Sequence, residues 1–270
     1  MRRLLCVLLA ALLAACVGIT VHEEKTQYSH VRVIDYGSLR SLYFGEKQTG
    51  IVQTVIDREQ PHRLLHSYAQ TMTAGLLYRP AAESMLLVGL GGGALVRYLN
   101  HGFPALRLDV VEIDPVIVRV ARDWFGVREG PRTRIFVADG HEYLRRASER
   151  YDIILLDAYL DPGPLTDATG YPLTLKSSAF YRTLHERLRP EGVVLFNLID
   201  GKDGEEYLAS IRAAFAAVQV FRVPGGGNQI VLAKPVGAAP DEGVLRQNAA
   251  QLDAGRDQGF TFREILSRRG

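Results

Sequence analysis

The chain has 270 residues, 47% of them apolar, and a formal net charge of +2 that falls to zero once Arg2 and Arg3 are set aside. That length suits one large domain, or one domain with a small appendage, and the apolar share excludes a disordered chain. The charge balance offers nothing to a nucleic acid or to a polybasic membrane contact.

Arg2 and Arg3 precede an aliphatic run over 4–13, and the small residues of "LAAC" end at Cys16. This is the layout of a secretory signal, and the run is too short to span a bilayer comfortably. It resembles a bacterial lipoprotein signal, which implies that Cys16 becomes the lipidated first residue of a chain anchored on the periplasmic side. If the signal is not used, the expected location is cytoplasmic. Cys6 and Cys16 are the two cysteines of the sequence, so a chain cut before Cys16 has no disulfide to form.

Residues 17–25 read as a polar tether. "HVRVIDY", "SLYFG" and "GIVQTVID" then read as three β segments of a small antiparallel unit, so that tether and β unit together span 17–60. Apolar residues at Leu64, Leu65, Tyr68, Met72, Leu76 and Leu77 predict one helix over 63–78, closed by Pro80.

Beyond Pro80 strands and helices alternate. "SMLLVGL", "LRLDVVEID", "RIFVAD", "YDIILLDAY", "GVVLFNLI", "AVQVFRV" and "QIVLAKP" read as strands, with helices over 94–100, 115–125, 140–147, 178–188 and 204–217. Strands aliphatic at nearly every position are buried on both faces. The fold class is therefore α/β, a doubly wound, mostly parallel seven-stranded sheet over 61–235, preceded by the antiparallel unit. The tight turn within "FRVPGGGNQIVLAKP" predicts that the last strand runs antiparallel. Residues 236–270 read as a polar helical tail without chemistry.

Ligands of such sheets sit beyond the carboxyl ends of the strands. Those ends carry Gly89, Gly91 and Gly93 within "LLVGLGGGALVRYL", Glu112 and Asp114, Asp139 and Gly140, then Asp157. Glycines let backbone N–H groups and a helix N-terminus approach a ligand closely. Glu112 lies about twenty residues further on, where a carboxylate can accept both hydrogen bonds of a ribose diol. Asp139 is an N-cap candidate, and the Asp139-Gly140 edge can also face an adenine.

Five segments in order, "LLVGLGGGALVRYL", "VVEIDPVIVRVAR", "VADGHEYL", "YDIILLDAYLDPGPL" and "PLTLKSSAFYRTLHERLRPEGVVLFNL", resemble the spermidine synthase family of aminopropyltransferases. The likeness covers about residues 26–235 and implies a class I methyltransferase-like Rossmann fold, with a β unit that mediates homodimers. It also implies decarboxylated S-adenosylmethionine, or S-adenosylmethionine itself, held by Gly89, Gly91, Gly93, Glu112, Asp139, Gly140 and Gln53, with no metal. The acceptor would be a small-molecule amine. Because an alkyl ammonium has a pKa near about 10, it must lose a proton before it attacks. Asp157 and Asp161 are the candidate bases, and Tyr68, Tyr159 and Tyr171 the expected pocket walls.

The chain departs from the family pattern at several places. Gly92 stands where the glycine motif usually carries an aspartate, "DAYLDP" is one residue longer than the corresponding acidic loop, and Tyr28-Ser29 replaces a tyrosine-glutamine pair. Methyl transfer from intact S-adenosylmethionine, or non-catalytic binding of a nucleoside or polyamine, are the alternative readings. A nicotinamide dehydrogenase explains the glycines and Glu112 but not Asp139-Gly140 or Asp157. His62 and His66, read as four apart on a helix, lack the adjacent glutamate and third ligand of a zinc hydrolase.

Overall fold

The computed structural model describes residues 18–45 and 51–270; Cys16 and the rest of the segment read as a signal lie outside them. Four strands, β1 (Ile19–Lys25), β2 (His30–Tyr36), β3 (Leu39–Phe44) and β4 (Ile51–Asp57), form an antiparallel sheet in chain order. β1 corrects the sequence reading, because residues expected to be a tether pair with β2 from Ile19↔Asp35 to Lys25↔His30. An edge strand packs little and tolerates charge, so "HEEK" gives no apolar signal.

The helix expected over 63–78 is two short ones, α1 (Ser67–Met72) and α2 (Gly75–Tyr78). The run 71–75 holds two threonines and a glycine, all poor helix formers, and the hydroxyl of Thr73 donates to the Gln70 carbonyl at 2.6 Å. A side chain at Gly75 would meet Ile153 and Leu195 at 2.9 Å, so the break lets backbone lie directly on the second sheet. Residues 60–63 form a turn before α1, and His62 is not on a helix.

That second sheet is built from β5 (Ser84–Val88), β6 (Arg107–Glu112), β7 (Thr133–Val137), β8 (Tyr151–Leu156), β9 (Leu188–Ile199), β10 (Ala217–Arg222) and β11 (Asn228–Lys234). Its order is β10-β11-β9-β8-β5-β6-β7, with β11 antiparallel to both neighbours and the other pairs parallel. The α/β class, the seven strands and the reversed late strand thus stand as read. Between them run α3 (Ala94–Gly102), α4 (Pro115–Trp124), α5 (Gly140–Arg146), α6 (Ser178–Arg187) and α7 (Lys202–Ala214).

Alternation along the strands sends Met85, Leu87, Val110, Ile153 and Leu195 to one core with α1 to α4, and Leu86, Val88, Val111, Ile154 and Phe196 to another with α5 to α7. The tail is not a loose appendage. Its helices α8 (Glu242–Asp253) and α9 (Phe262–Ser267) bury Leu245, Leu252, Phe262 and Ile265 in the first core. Arg268 donates to the Ser67 carbonyl and to the Thr71 hydroxyl, which ties the tail to α1. Strand order reverses at β5 and β8, whose following helices α3 and α6 pack on opposite faces, so the crevice opens beyond the carboxyl ends of these two strands.

Candidate active site

A cavity of about 1130 Å³, its mouth included, lies over the carboxyl ends of β5 to β8 and is closed on one side by the antiparallel sheet. From the strand ends come Gly89, Gly91, Glu112, Asp114, Asp139, Gly140 and Asp157; from the small sheet come Phe44, Gln53 and Thr54, with Tyr28 and Ser29 from the turn before β2. No lysine or arginine side chain lines it among the described residues.

The glycine turn is shaped by close approach. Gly89 has φ +96°, and a Cβ there would lie 2.1 Å from the Asp157 carbonyl oxygen, so β5 and β8 can be this close only without a side chain. Gly93, by contrast, does not line the cavity. With φ +71° it caps α3, and a Cβ would press on Val127 at 2.2 Å, which makes its role one of turning and packing. Gly92 also faces away: its N–H donates to the Thr54 hydroxyl at 2.9 Å, beneath β4.

Glu112, at the end of β6, is 8% exposed, and each of its oxygens accepts one backbone N–H, from Leu90 at 2.9 Å and from Asp114 at 2.9 Å. Burial raises its pKa against the pull of those N–H groups. Each carboxylate oxygen keeps acceptor capacity toward the cavity, as a diol requires. Asp114 caps α4 through Oδ1, accepting from Val116 at 2.8 Å, while its buried Oδ2 finds no partner among the described residues. Asp139 caps α5 by accepting from Glu142 at 2.9 Å and still lines the cavity beside Gly140.

Asp157 stands just past β8, where its Oδ1 accepts from the Asn197 amide at 2.8 Å and its carboxylate is within reach of the Tyr68 hydroxyl. Burial raises its pKa to about 6, with both partners pulling it down. Such a carboxylate is ionised at neutral pH yet basic enough to take a proton. The Tyr68 hydroxyl also lies 3.1 Å from the Gln53 carbonyl, so its one proton is shared between that oxygen and Asp157, and Tyr159 donates to the Asn197 carbonyl at 2.7 Å, so both walls are fixed.

Asp161 does not join this group. It accepts from the His30 N–H at 3.3 Å and lines a separate, open cleft with Lys25 and Thr166. Tyr171 is 1% exposed and sits behind Tyr159, ring centroids 5.4 Å apart, so it supports the wall without lining the cavity. His62 stacks on His101 at 3.9 Å and His66 lies beside Tyr68; no group of three metal-ligating side chains occurs among the described residues. Sequence reasoning places Asp114 at a strand end without giving it a role, and it misses Thr54 and Asn197 as site residues. An asparagine inside the buried run "GVVLFNLI" was the available signal, since a polar group there needs partners.

The spermine/spermidine synthase domain matches residues 65–220. A polyamine aminopropyltransferase of Vibrio vulnificus is 31% identical over 86% of this chain and 77% of its own length. Among solved structures, human methyltransferase-like protein 13 in complex with SAH superposes with a TM-score of 0.63 at 27% identity, over 74% of this chain and 99% of that one. A spermidine synthase in complex with the transition-state analogue AdoDATO gives 0.72 at 16% identity, over 92% and 83%, a likeness of fold. A Rossmann-like sheet with an acidic crevice at its switch point defines a fold shared by transferases of this kind. The chain belongs to the spermine/spermidine synthase family.

Proposed function

We propose that the protein moves an aminopropyl group from decarboxylated S-adenosylmethionine to an amine acceptor. The observation that carries this reading is the charge of the cavity, which presents Glu112, Asp114, Asp139 and Asp157 and, among the described residues, no cationic side chain. A donor with a sulfonium and a free ammonium, and an acceptor that is itself an ammonium, both suit such walls. Intact S-adenosylmethionine would bring a carboxylate that no cation among the described lining residues meets.

The residues present fit the donor: Glu112 has acceptor capacity for a ribose diol, Asp139-Gly140 borders the adenine end, and Gly89 and Gly91 leave room for close approach. When bound, the sulfonium supplies an electrophilic carbon whose departing group is a neutral thioether, so no acid is required. What the chain supplies is position and a base. Asp157 binds the acceptor ammonium and first accepts a proton from it; the freed lone pair then forms the new C–N bond as the C–S bond breaks to the neutral thioether, while Tyr68 and Tyr159 wall the path.

Titration calorimetry of the folded chain with decarboxylated and intact S-adenosylmethionine, followed by product analysis with a diamine, tests this. Tighter binding of the decarboxylated form and an aminopropylated amine are expected. Preference for the intact form with a methylated product would replace the assignment by methyl transfer.

Two further readings rest on sequence. The "LAAC" box supports a lipid anchor at Cys16 on the periplasmic side, checked by fatty-acid labelling of the full chain that Cys16→Ala abolishes. The antiparallel sheet is the surface proposed for a homodimer, checked by sedimentation.

A further inference from the structure

Asp157 is not held by its own loop alone. Its Oδ1 accepts from Asn197 Nδ2 at 2.8 Å, and Asn197 Oδ1 accepts in turn from Asn228 Nδ2 at 2.9 Å. Asn197 is 3% exposed near the end of an otherwise apolar stretch of β9. Asn228 opens β11, directly after three consecutive glycines at positive φ, and faces Ile199 across the ladder, so the antiparallel strand delivers it to this place. The amide of Asn197 therefore has one workable orientation: flipped, its oxygen would oppose the carboxylate and its nitrogen would oppose Asn228. Its backbone carbonyl takes the Tyr159 hydroxyl, so the same residue also sets the cavity wall.

We infer that Asn197, locked by Asn228, is a positioning residue that aims the Asp157 carboxylate at the acceptor nitrogen and keeps it ionised; this rests on the reading of Asp157 as the base. A buried asparagine costs free energy unless its hydrogen bonds are made, and here they converge on the group that handles the proton. The other groups facing Asp157 are Tyr68 from α1 and Tyr159 and Tyr171 from the loop after β8. None of them is a cation, and Glu112 and Asp139 share the cavity. With no positive charge nearby among the described residues, neutral donors are what favour the ionised form, and Asn197 is the best placed of these.

The test is a ¹³C NMR titration of the aspartate carboxyls of the full chain, with the Asp157 signal assigned by its loss in Asp157→Asn, alongside the pH profile of turnover. Asn197→Ala should move the Asp157 midpoint up by about one pH unit, the size expected when one hydrogen bond to a charged group is lost. The acid limb of turnover should move with it, and kcat should fall about tenfold with donor affinity unchanged. Asn197→Gln, which keeps an amide donor, should recover part of both. Asn228→Ala should cause a smaller shift in the same direction and none in the Asn197→Ala background, because Asn228 acts through Asn197. An unmoved midpoint in Asn197→Ala overturns the inference, as does an equal shift from Asn228→Ala in both backgrounds. If Asn197→Ala does not fold, Asn228→Ala alone decides, and an unmoved midpoint there overturns it equally. A midpoint that moves in a protein unable to transfer to any amine supports the positioning and removes the functional reading instead.

Discussion

Two sets of buried or half-buried carboxylates occupy opposite ends of the same parallel strands, and they are treated in opposite ways. Toward the amino ends, Asp109 meets Arg134 at 2.8 Å and Asp152 meets Arg79 at 3.0 Å and Arg189 at 3.4 Å. Asp152 also accepts from the backbone N–H groups of Glu83 and Ser84 at 3.0 Å. Burial alone would raise the Asp152 pKa, yet those donors and the Arg189 charge hold it below the usual range. Toward the carboxyl ends, Glu112 and Asp157 have only neutral donors among the described residues, and burial prevails and raises both. A fold that neutralises its acids at one end and leaves them bare at the other has an end prepared for a cationic ligand.

The comparison breaks most visibly at Asp157. Asp157→Asn should lower kcat by roughly a hundredfold to a thousandfold in a steady-state assay, the usual contribution of a positioned base, with donor affinity retained. Loss of donor binding as well would mean that Asp157 holds the nucleoside. The mirror change, Asp152→Ala, should leave Arg79 without its carboxylate and the Glu83 and Ser84 N–H groups without their acceptor, and cost about 2–4 kcal/mol in denaturant unfolding, with the donor Kd of the folded protein unchanged. A full loss of donor binding from that change would erase the distinction between the two ends. Next in size, Glu112→Gln should weaken donor binding by roughly tenfold to a hundredfold, because an amide NH₂ would oppose one of two backbone N–H groups and cannot accept from a diol. Equal affinity in calorimetry would remove Glu112 from the nucleoside site.

The same electrostatics make a stability statement with a definite sign. The folded pKa of Asp157 is raised from 3.8 to about 6, so the unfolded chain gives up this proton first as pH rises. Between those values stability falls with pH, and above them the ionised group costs on the order of 1–3 kcal/mol. Asp157→Asn should therefore melt higher than the unsubstituted chain at neutral pH, and the gain should fade below about pH 4 as the native carboxyl becomes neutral too. A variant that melts lower at pH 7 would mean that the Asn197 and Tyr68 bonds outweigh desolvation.

Much of the carboxyl end was legible because its residues sit at strand ends, and strand ends follow from aliphatic runs. Gly89, Glu112, Asp139 and Asp157 each close such a run. Gly93 reads as ligand-binding in sequence because a glycine needed for a turn and one needed for a ligand look alike there; only the position of Gly93 against Val127, off the cavity that Gly89 and Gly91 line, separates them. Tyr171 and Tyr159 are equally aromatic, and which of them faces the cavity depends on a loop whose path no periodicity encodes. β1 was hidden by its edge position, and the split between α1 and α2 by apolar residues that keep helical spacing across the break. Asn197 depends on Asn228, which lies in a different strand and reaches it only through the antiparallel pairing of β11.

The smallest expected effect is also the most discriminating. Asp161 follows Asp157 by one loop, and chemistry alone gives either the role of base. In the structure Asp161 accepts from the His30 N–H and opens on the neighbouring cleft, so its carboxylate is bound to the small sheet and not aimed at the cavity that holds Asp157. Asp161→Asn keeps an acceptor oxygen for His30 and should change kcat by less than about threefold, as loss of one half-buried charge outside the cavity does. If the acceptor KM rises sharply while kcat holds, a second ammonium of a longer acceptor sits in that cleft, and the two aspartates divide one substrate between them. If kcat collapses instead, the base is Asp161, and the bare charge of Asp157 has to be explained as binding alone.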